Sequence, residues 1–178
     1  DEGAGPLAQL LLRFRDRFRL SAHHRRARAF GEEGPGRREA EPGHDRLEAL
    51  ARYATIPVVN GLSDRFHPVQ LLADLMTIRE SFGKSLQGLR VAWVGDGNNM
   101  AHSWIESAAV ARFELVLACP RGYRPDDQVL AGARQRGASV HLVDRPEEAL
   151  DGAAVVTTDV WASMGQEDEA GARRRAFS

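Results

Sequence analysis

LRVAWVGDGNN, residues 89–99, is an apolar run of strand length that enters a turn carrying two glycines and two asparagines. Its length, composition and glycine boundary predict a buried strand. Working outward, a helix is expected from about Met100 to Arg112, then a strand in ELVLACP (114–120). PDDQVLAGARQRG (125–137) reads as a helix closed by Gly137, and SVHLV (139–143) as a third strand. PEEALDG (146–152) is a short helix and AAVVTTDVW (153–161) a fourth strand. Strands near 90–94, 114–118, 139–143 and 154–159, alternating with helices, predict an α/β fold: a parallel sheet flanked by helices on both faces. Ligands of such sheets lie at the carboxyl ends of the strands. GDGNN (95–99) and DVWASMGQE (159–167) both fall there.

Upstream, HPVQLLADLMTIRESFG (67–83) places Leu71, Leu75, Ile78 and Phe82 on one helical stripe. Pro68 suits the first turn and Gly83 the stop. HDRLEALARYA (44–54) reads as a helix with Leu47, Leu50 and Ala51 on one face, and IPVVN (56–60) as a buried strand. Residues 1–43 differ in character. LLRFRDRFRLSAHHRRARAF (11–30) alternates apolar and arginine residues without a clean face, and GEEGPGRREAEPG (31–43) has linker composition. His23 and His24 in this leader carry no assignment. Lys84 is the only lysine among 24 basic residues. GC-rich coding DNA explains that bias, and a frame slip in such DNA would yield a leader of this kind.

The 178 residues are 43% hydrophobic and 28% charged, a globular composition. No apolar run approaches the roughly 18 residues of a membrane span, and the first residues lack the order of a secretory signal. A net charge of −1 argues against nucleic-acid binding. The single cysteine, Cys119, excludes an internal disulfide and a cysteine zinc cluster, and reads as a buried core thiol. The expectation is a cytoplasmic protein with neither nucleic acid nor membrane as partner.

GDGNN is not a dinucleotide fingerprint. The third glycine is replaced by Met100, and the next strand ends in Cys119 and Pro120 where an acidic residue is needed. Asn98 and Asn99 instead offer amide donors and acceptors suited to a small zwitterion; one of the two is expected to cap the helix and the other to remain available. HPVQ opens a helix, where N–H groups and the dipole favour an anion or a carbonyl oxygen. His67 and Gln70, three apart, can face one point beyond that start. The alternative is a capping histidine and a solvated glutamine. In DVWASMGQED (159–168), Asp159 can hold an ammonium, Ser163 can add a hydrogen bond, and N–H groups near Met164 and Gly165 can take a carboxylate; the alternative is a solvated loop. Arg173, Arg174 and Arg175 read as a solvated helix face.

HPVQ with LLADLMTI, then GLRVAWVGDGNNMAHS (88–103), then TDVWASMGQEDE (158–169) together resemble the ornithine carbamoyltransferase family, in its order and near its spacing. The resemblance covers roughly residues 44–178; GDGNN and SMGQE distinguish it from the aspartate branch, which shares HPxQ. It implies transfer of a carbamoyl group from carbamoyl phosphate to the δ-amine of L-ornithine, giving L-citrulline and phosphate in arginine metabolism, without metal or organic cofactor. His67 and Gln70 would bind carbamoyl phosphate and polarise its carbonyl, with Pro68 and Val69 in the same subsite. Asn99, Asp159, Ser163 and Met164 would bind ornithine, Met164 through its backbone. The implied fold is a Rossmann-like parallel sheet. Residues 44–82 would be the end of a carbamoyl-phosphate domain and an interdomain helix, and 83–178 a partial ornithine-binding domain.

The family's Ser-Thr-Arg-Thr-Arg phosphate loop has no counterpart in residues 1–66, and its His-Cys-Leu-Pro motif would lie beyond Ser178. The expectation is therefore a fragment, read out of frame before about His44, that makes little or no citrulline alone. The family implies a homotrimer, which a chain lacking most of the first domain is not expected to form. An uncovered sheet face is expected to expose an apolar patch. Two other readings fit the same residues: a carbamoyltransferase for another amine, such as putrescine or an acylated ornithine, and a non-catalytic amino-acid-binding remnant.

Overall fold

A computed structural model describes residues 43–83, 85–160 and 171; the chain divides into two units between Ser85 and Leu86, and the described residues of the first carry two helices. Helix α1 (His44–Tyr53) buries Ala51 but leaves Leu50 exposed, so the face expected from Leu47, Leu50 and Ala51 is only partly covered. Helix α2 (Pro68–Phe82) begins with proline at its first turn and stops at Gly83, whose φ of 96° is a backbone state that glycine adopts without Cβ strain. Leu71, Leu75 and Ile78 are buried as the stripe requires, whereas Phe82 is 52% exposed. The buried strand expected at 56–60 is absent: Val59 makes an isolated bridge, and Ile56 and Val59 are exposed. Pro57 has no N–H to give a ladder, and the pairing stops at the single bridge of Val59.

The second unit is a four-stranded parallel sheet with strands β1 (Arg90–Val94), β2 (Glu114–Ala118), β3 (Ser139–Val143) and β4 (Val155–Thr157) in the order β3-β2-β1-β4. The fourth strand is shorter than the 154–159 expected, because Thr158 and Asp159 turn to side-chain bonding described below. Register aligns Val91 with Leu115 and Val155, and Leu115 with Val140. Side chains alternate across a strand. Val91, Trp93, Leu115, Leu117 and Val140 therefore share one face, and all are buried. Ala92, Val116 and Ala118 occupy the other.

The connecting helices are α3 (Asn99–Ala111), α4 (Asp127–Gln135) and α5 (Pro146–Leu150). The chain steps from β1 to β2 to β3 through α3 and α4, then returns past β1 to β4 through α5. Right-handed crossovers in opposite directions put α3 and α4 on one face and α5 on the other. In agreement, Ala149 of α5 packs with Ala92, Val116 and Ala118. Both faces are thus covered over β1 and β2, which corrects the expected uncovered face. Val156 on the edge strand β4 is 58% exposed, and Leu150 at the end of α5 is 41% exposed. The sheet order reverses between β1 and β4, and the crevice at their carboxyl ends is the place such a sheet offers a ligand.

Candidate functional site

The HPVQ segment belongs to the first unit. His67 is the residue before α2, with φ −127° and ψ 66°, and its side chain makes no capping hydrogen bond. A capping histidine is therefore not its role. Pro68 is buried; Val69 and Gln70 are exposed. Gln70 donates from Nε2 to Asp74 Oδ1 at 2.9 Å, one turn along the helix. The first turn carries no acidic residue. The turn therefore supplies no carboxylate of its own to its N–H groups and the positive end of the helix dipole, an arrangement that favours an anionic ligand.

The second set of residues lies at the carboxyl ends of β1 and β4. After β1 the chain makes a tight turn: Gly95 N–H donates to Ala118 O at 3.1 Å, Gly97 N–H donates to Tyr123 O at 2.7 Å, and Trp93 Nε1 donates to Asp96 O at 3.0 Å. Gly97 is a glycine for packing. A Cβ there would overlap the backbone of Arg124 and Pro125, with Pro125 Cα only 2.7 Å away. Gly97 thus admits a protein loop where a fingerprint glycine would admit a pyrophosphate.

Asn98 caps α3, its Oδ1 accepting from Met100 N–H at 3.0 Å and Ala101 N–H at 3.1 Å. The other end of the same amide is also used. Nδ2 donates to Asp159 Oδ2 at 2.9 Å, while Asp159 Oδ1 accepts from Val160 N–H at 2.8 Å. Thr158 adds a hydroxyl bond to Val94 O at 2.6 Å. Asp159 is thereby pinned across the point where strand order reverses, its carboxylate half-buried and held at both oxygens. Asn99 is the first residue of α3, and its carbonyl accepts from Ser103 Oγ at 2.8 Å. The expected division of labour between the two asparagines holds for the cap, but the link to Asp159 falls to Asn98, a role that sequence reading missed. The pair is 61 residues apart, and only the Asn-Asn doublet hinted at it. Ser163, Met164 and the rest of SMGQE lie outside the described residues, as do residues 1–42 and Arg173, Arg174 and Arg175.

Cys119 directly follows β2 and is 1% exposed. Burial pushes its thiol up to about 12; the Asp96 carboxylate adds to the rise and Arg124 opposes it. It stays protonated at neutral pH and is not a nucleophile. Among the described residues no group of three or more His, Cys, Asp or Glu could hold a metal ion, and no helix is long and apolar enough to cross a membrane.

Known proteins match both units. Residues 87–178 match the Asp/Orn binding domain of aspartate/ornithine carbamoyltransferase, and residues 33–80 match the carbamoyl-P binding domain. The ornithine carbamoyltransferase of Geobacter sulfurreducens is 56% identical over 136 residues, covering 76% of this chain and 45% of the relative. That of Pelobacter propionicus is 54% identical over 136 residues, covering 76% and 44%. Among solved structures, the ornithine carbamoyltransferase of Pyrococcus furiosus superposes with a TM-score of 0.70 at 48% identity, covering 76% of this chain and 44% of that one. The anabolic enzyme of Campylobacter jejuni gives 0.71 at 38% identity, covering 76% and 46%. The chain spans less than half the length of these relatives. With a match to the Asp/Orn binding domain over residues 87–178 and these identities, the chain belongs to the aspartate/ornithine carbamoyltransferase family.

Proposed function

We propose that this chain carries the carbamoyl-phosphate helix start and the amino-acid subsite of an ornithine carbamoyltransferase, which makes L-citrulline and phosphate. In that reaction the δ-amine lone pair of ornithine attacks the carbonyl carbon of carbamoyl phosphate. The carbon–oxygen bond to phosphate breaks, phosphate leaves with the electron pair, and the attacking nitrogen gives up a proton. His67 and Gln70 donate to the carbonyl oxygen, where negative charge grows, and the α2 N–H groups near Pro68 and Val69 receive the anionic end. Gln70 leaves Asp74 to do so. Asp159 takes an ammonium of ornithine, with Asn99, Ser163 and the backbone of Met164 completing the amino-acid contacts. Positioning and electrostatic stabilisation carry such a transfer, and the reading calls for no cofactor. It also takes such an enzyme to be cytoplasmic and homotrimeric, an assembly that the 178-residue chain alone is not expected to form.

The observation that carries the reading is the Asp159 carboxylate, fixed by Asn98 at the strand-order reversal. The names of the relatives support ornithine as its ligand. Calorimetric titration of the chain with L-ornithine, putrescine and an acylated ornithine tests it. Ornithine is expected to bind most tightly, and Asp159→Asn to weaken it by roughly tenfold or more, the scale of a charge-assisted contact. Equal binding of putrescine, or an unchanged affinity in Asp159→Asn, would remove ornithine as the ligand of this carboxylate.

A further inference from the structure

The loop that delivers the HPVQ segment is tied by one buried hydroxyl. Ser63 is fully buried. Its N–H donates to Phe66 O at 2.8 Å, and its Oγ accepts from Phe66 N–H at 3.1 Å. Oγ also lies 3.2 Å from Phe66 O, 3.3 Å from Asn60 Nδ2 and 3.2 Å from His44 Nδ1. A serine hydroxyl has one proton and two lone pairs, so four polar neighbours commit it completely. Phe66 immediately precedes His67. The Ser63–Phe66 clasp therefore sets the direction from which the chain enters α2.

His44 holds the clasp from the other side. Its backbone N–H donates to Asp64 Oδ1 at 2.8 Å, and its ring meets Phe66 edge-on with centroids 5.2 Å apart. Its Nε2 lies 3.6 Å from Glu48 Oε1. The first residue of α1 and the residue before His67 are thus joined through one hydroxyl and one aromatic contact.

We infer that Ser63, locked by His44 and Asn60, is a positioning residue for the carbamoyl-phosphate end of the site: its hydroxyl holds Phe66 so that His67 and the first-turn N–H groups of α2 are presented in one orientation. This rests on the proposed role of HPVQ. Ser63 touches no substrate in this scheme and acts through the backbone.

Amide hydrogen exchange of the 178-residue chain tests the clasp without ligand. Ser63→Ala is expected to speed exchange at Phe66, His67 and Leu71 by roughly tenfold, the loss of about one net hydrogen bond, while amides of β1 and β2 stay unchanged. Ser63→Thr keeps the hydroxyl and is expected to restore protection; equal exchange in the alanine and threonine variants would show that packing, and not the hydroxyl, is responsible. Should Ser63→Ala unfold the first unit, His44→Ala removes one neighbour of the hydroxyl and is expected to speed exchange at the same amides by a smaller factor. Unchanged exchange there would overturn the clasp. Titration with carbamoyl phosphate separates the two ideas. Shifts at the Val69, Gln70 and Leu71 amides of the wild-type chain that need a roughly tenfold higher concentration in Ser63→Ala support the positioning role. Shifts at the same concentration in both chains overturn it but keep HPVQ as the binding segment. No shift in the wild-type chain overturns the HPVQ assignment itself.

Discussion

Asn98 does two jobs with one amide, and its substitution should show both. Asn98→Ala removes the acceptor of two α3 N–H groups and the donor to Asp159. Loss of such a cap costs about 1–2 kcal/mol, to be read from urea unfolding of the chain. A loss well under that range would mean that α3 is capped adequately by water. Cys119 gives a second test at this scale. Its thiol ordinarily ionises near 9.0 and is held up to about 12 when folded. Below pH 9 both states keep the proton and the fold has its full stability. Between 9 and 12 only the unfolded state releases it, so stability falls as pH rises. Unfolding at pH 8 and pH 10 should therefore differ more in the wild-type chain than in Cys119→Ala. Alkylation at pH 8 should be slow until urea is added.

At the scale of elements, the contact between α3 and α4 contains a charge that has left water. Glu106 on α3 is 3% exposed, and its Oε2 accepts from Arg136 Nη2 at 2.6 Å at the end of α4. Removing the guanidinium leaves a buried carboxylate with one fewer charged partner. Arg136→Ala should therefore cost about 1.5–3 kcal/mol. Arg145→Ala makes the control, since Arg145 and Glu147 form an exposed pair on the opposite connection, worth about 0–1 kcal/mol. Similar midpoints for the two variants would show that Glu106 is satisfied without Arg136. The helices and strands of the second unit were legible because short apolar runs alternate with segments whose ends carry local signals: the Asn98 and Asp126 caps, Pro146 at the start of α5 and Gly137 after α4. The strand expected at 56–60 was not, because a short apolar run has the same pattern whether or not a neighbour exists to pair with it.

For the molecule as a whole, the sequence contains no Ser-Thr-Arg-Thr-Arg run to take the phosphate with charge-assisted bonds. The 178-residue chain should accordingly form little or no citrulline from carbamoyl phosphate and ornithine. Robust turnover in a colorimetric citrulline assay would show that the α2 start suffices for the phosphate. The alternation of strands and helices, the HPVQ helix start and the placement of GDGNN at a strand end are local properties, written in periodicity and turn chemistry within a dozen residues. Sequence by itself determined those. The order β3-β2-β1-β4, the reversal between β1 and β4 and the bond from Asn98 to Asp159 depend on which distant segments pack together. So does the reason for Gly97, which yields to the backbone of Arg124 and Pro125. Tertiary structure alone decided these, because nothing local in a chain records which partner a buried polar group will find 61 residues away.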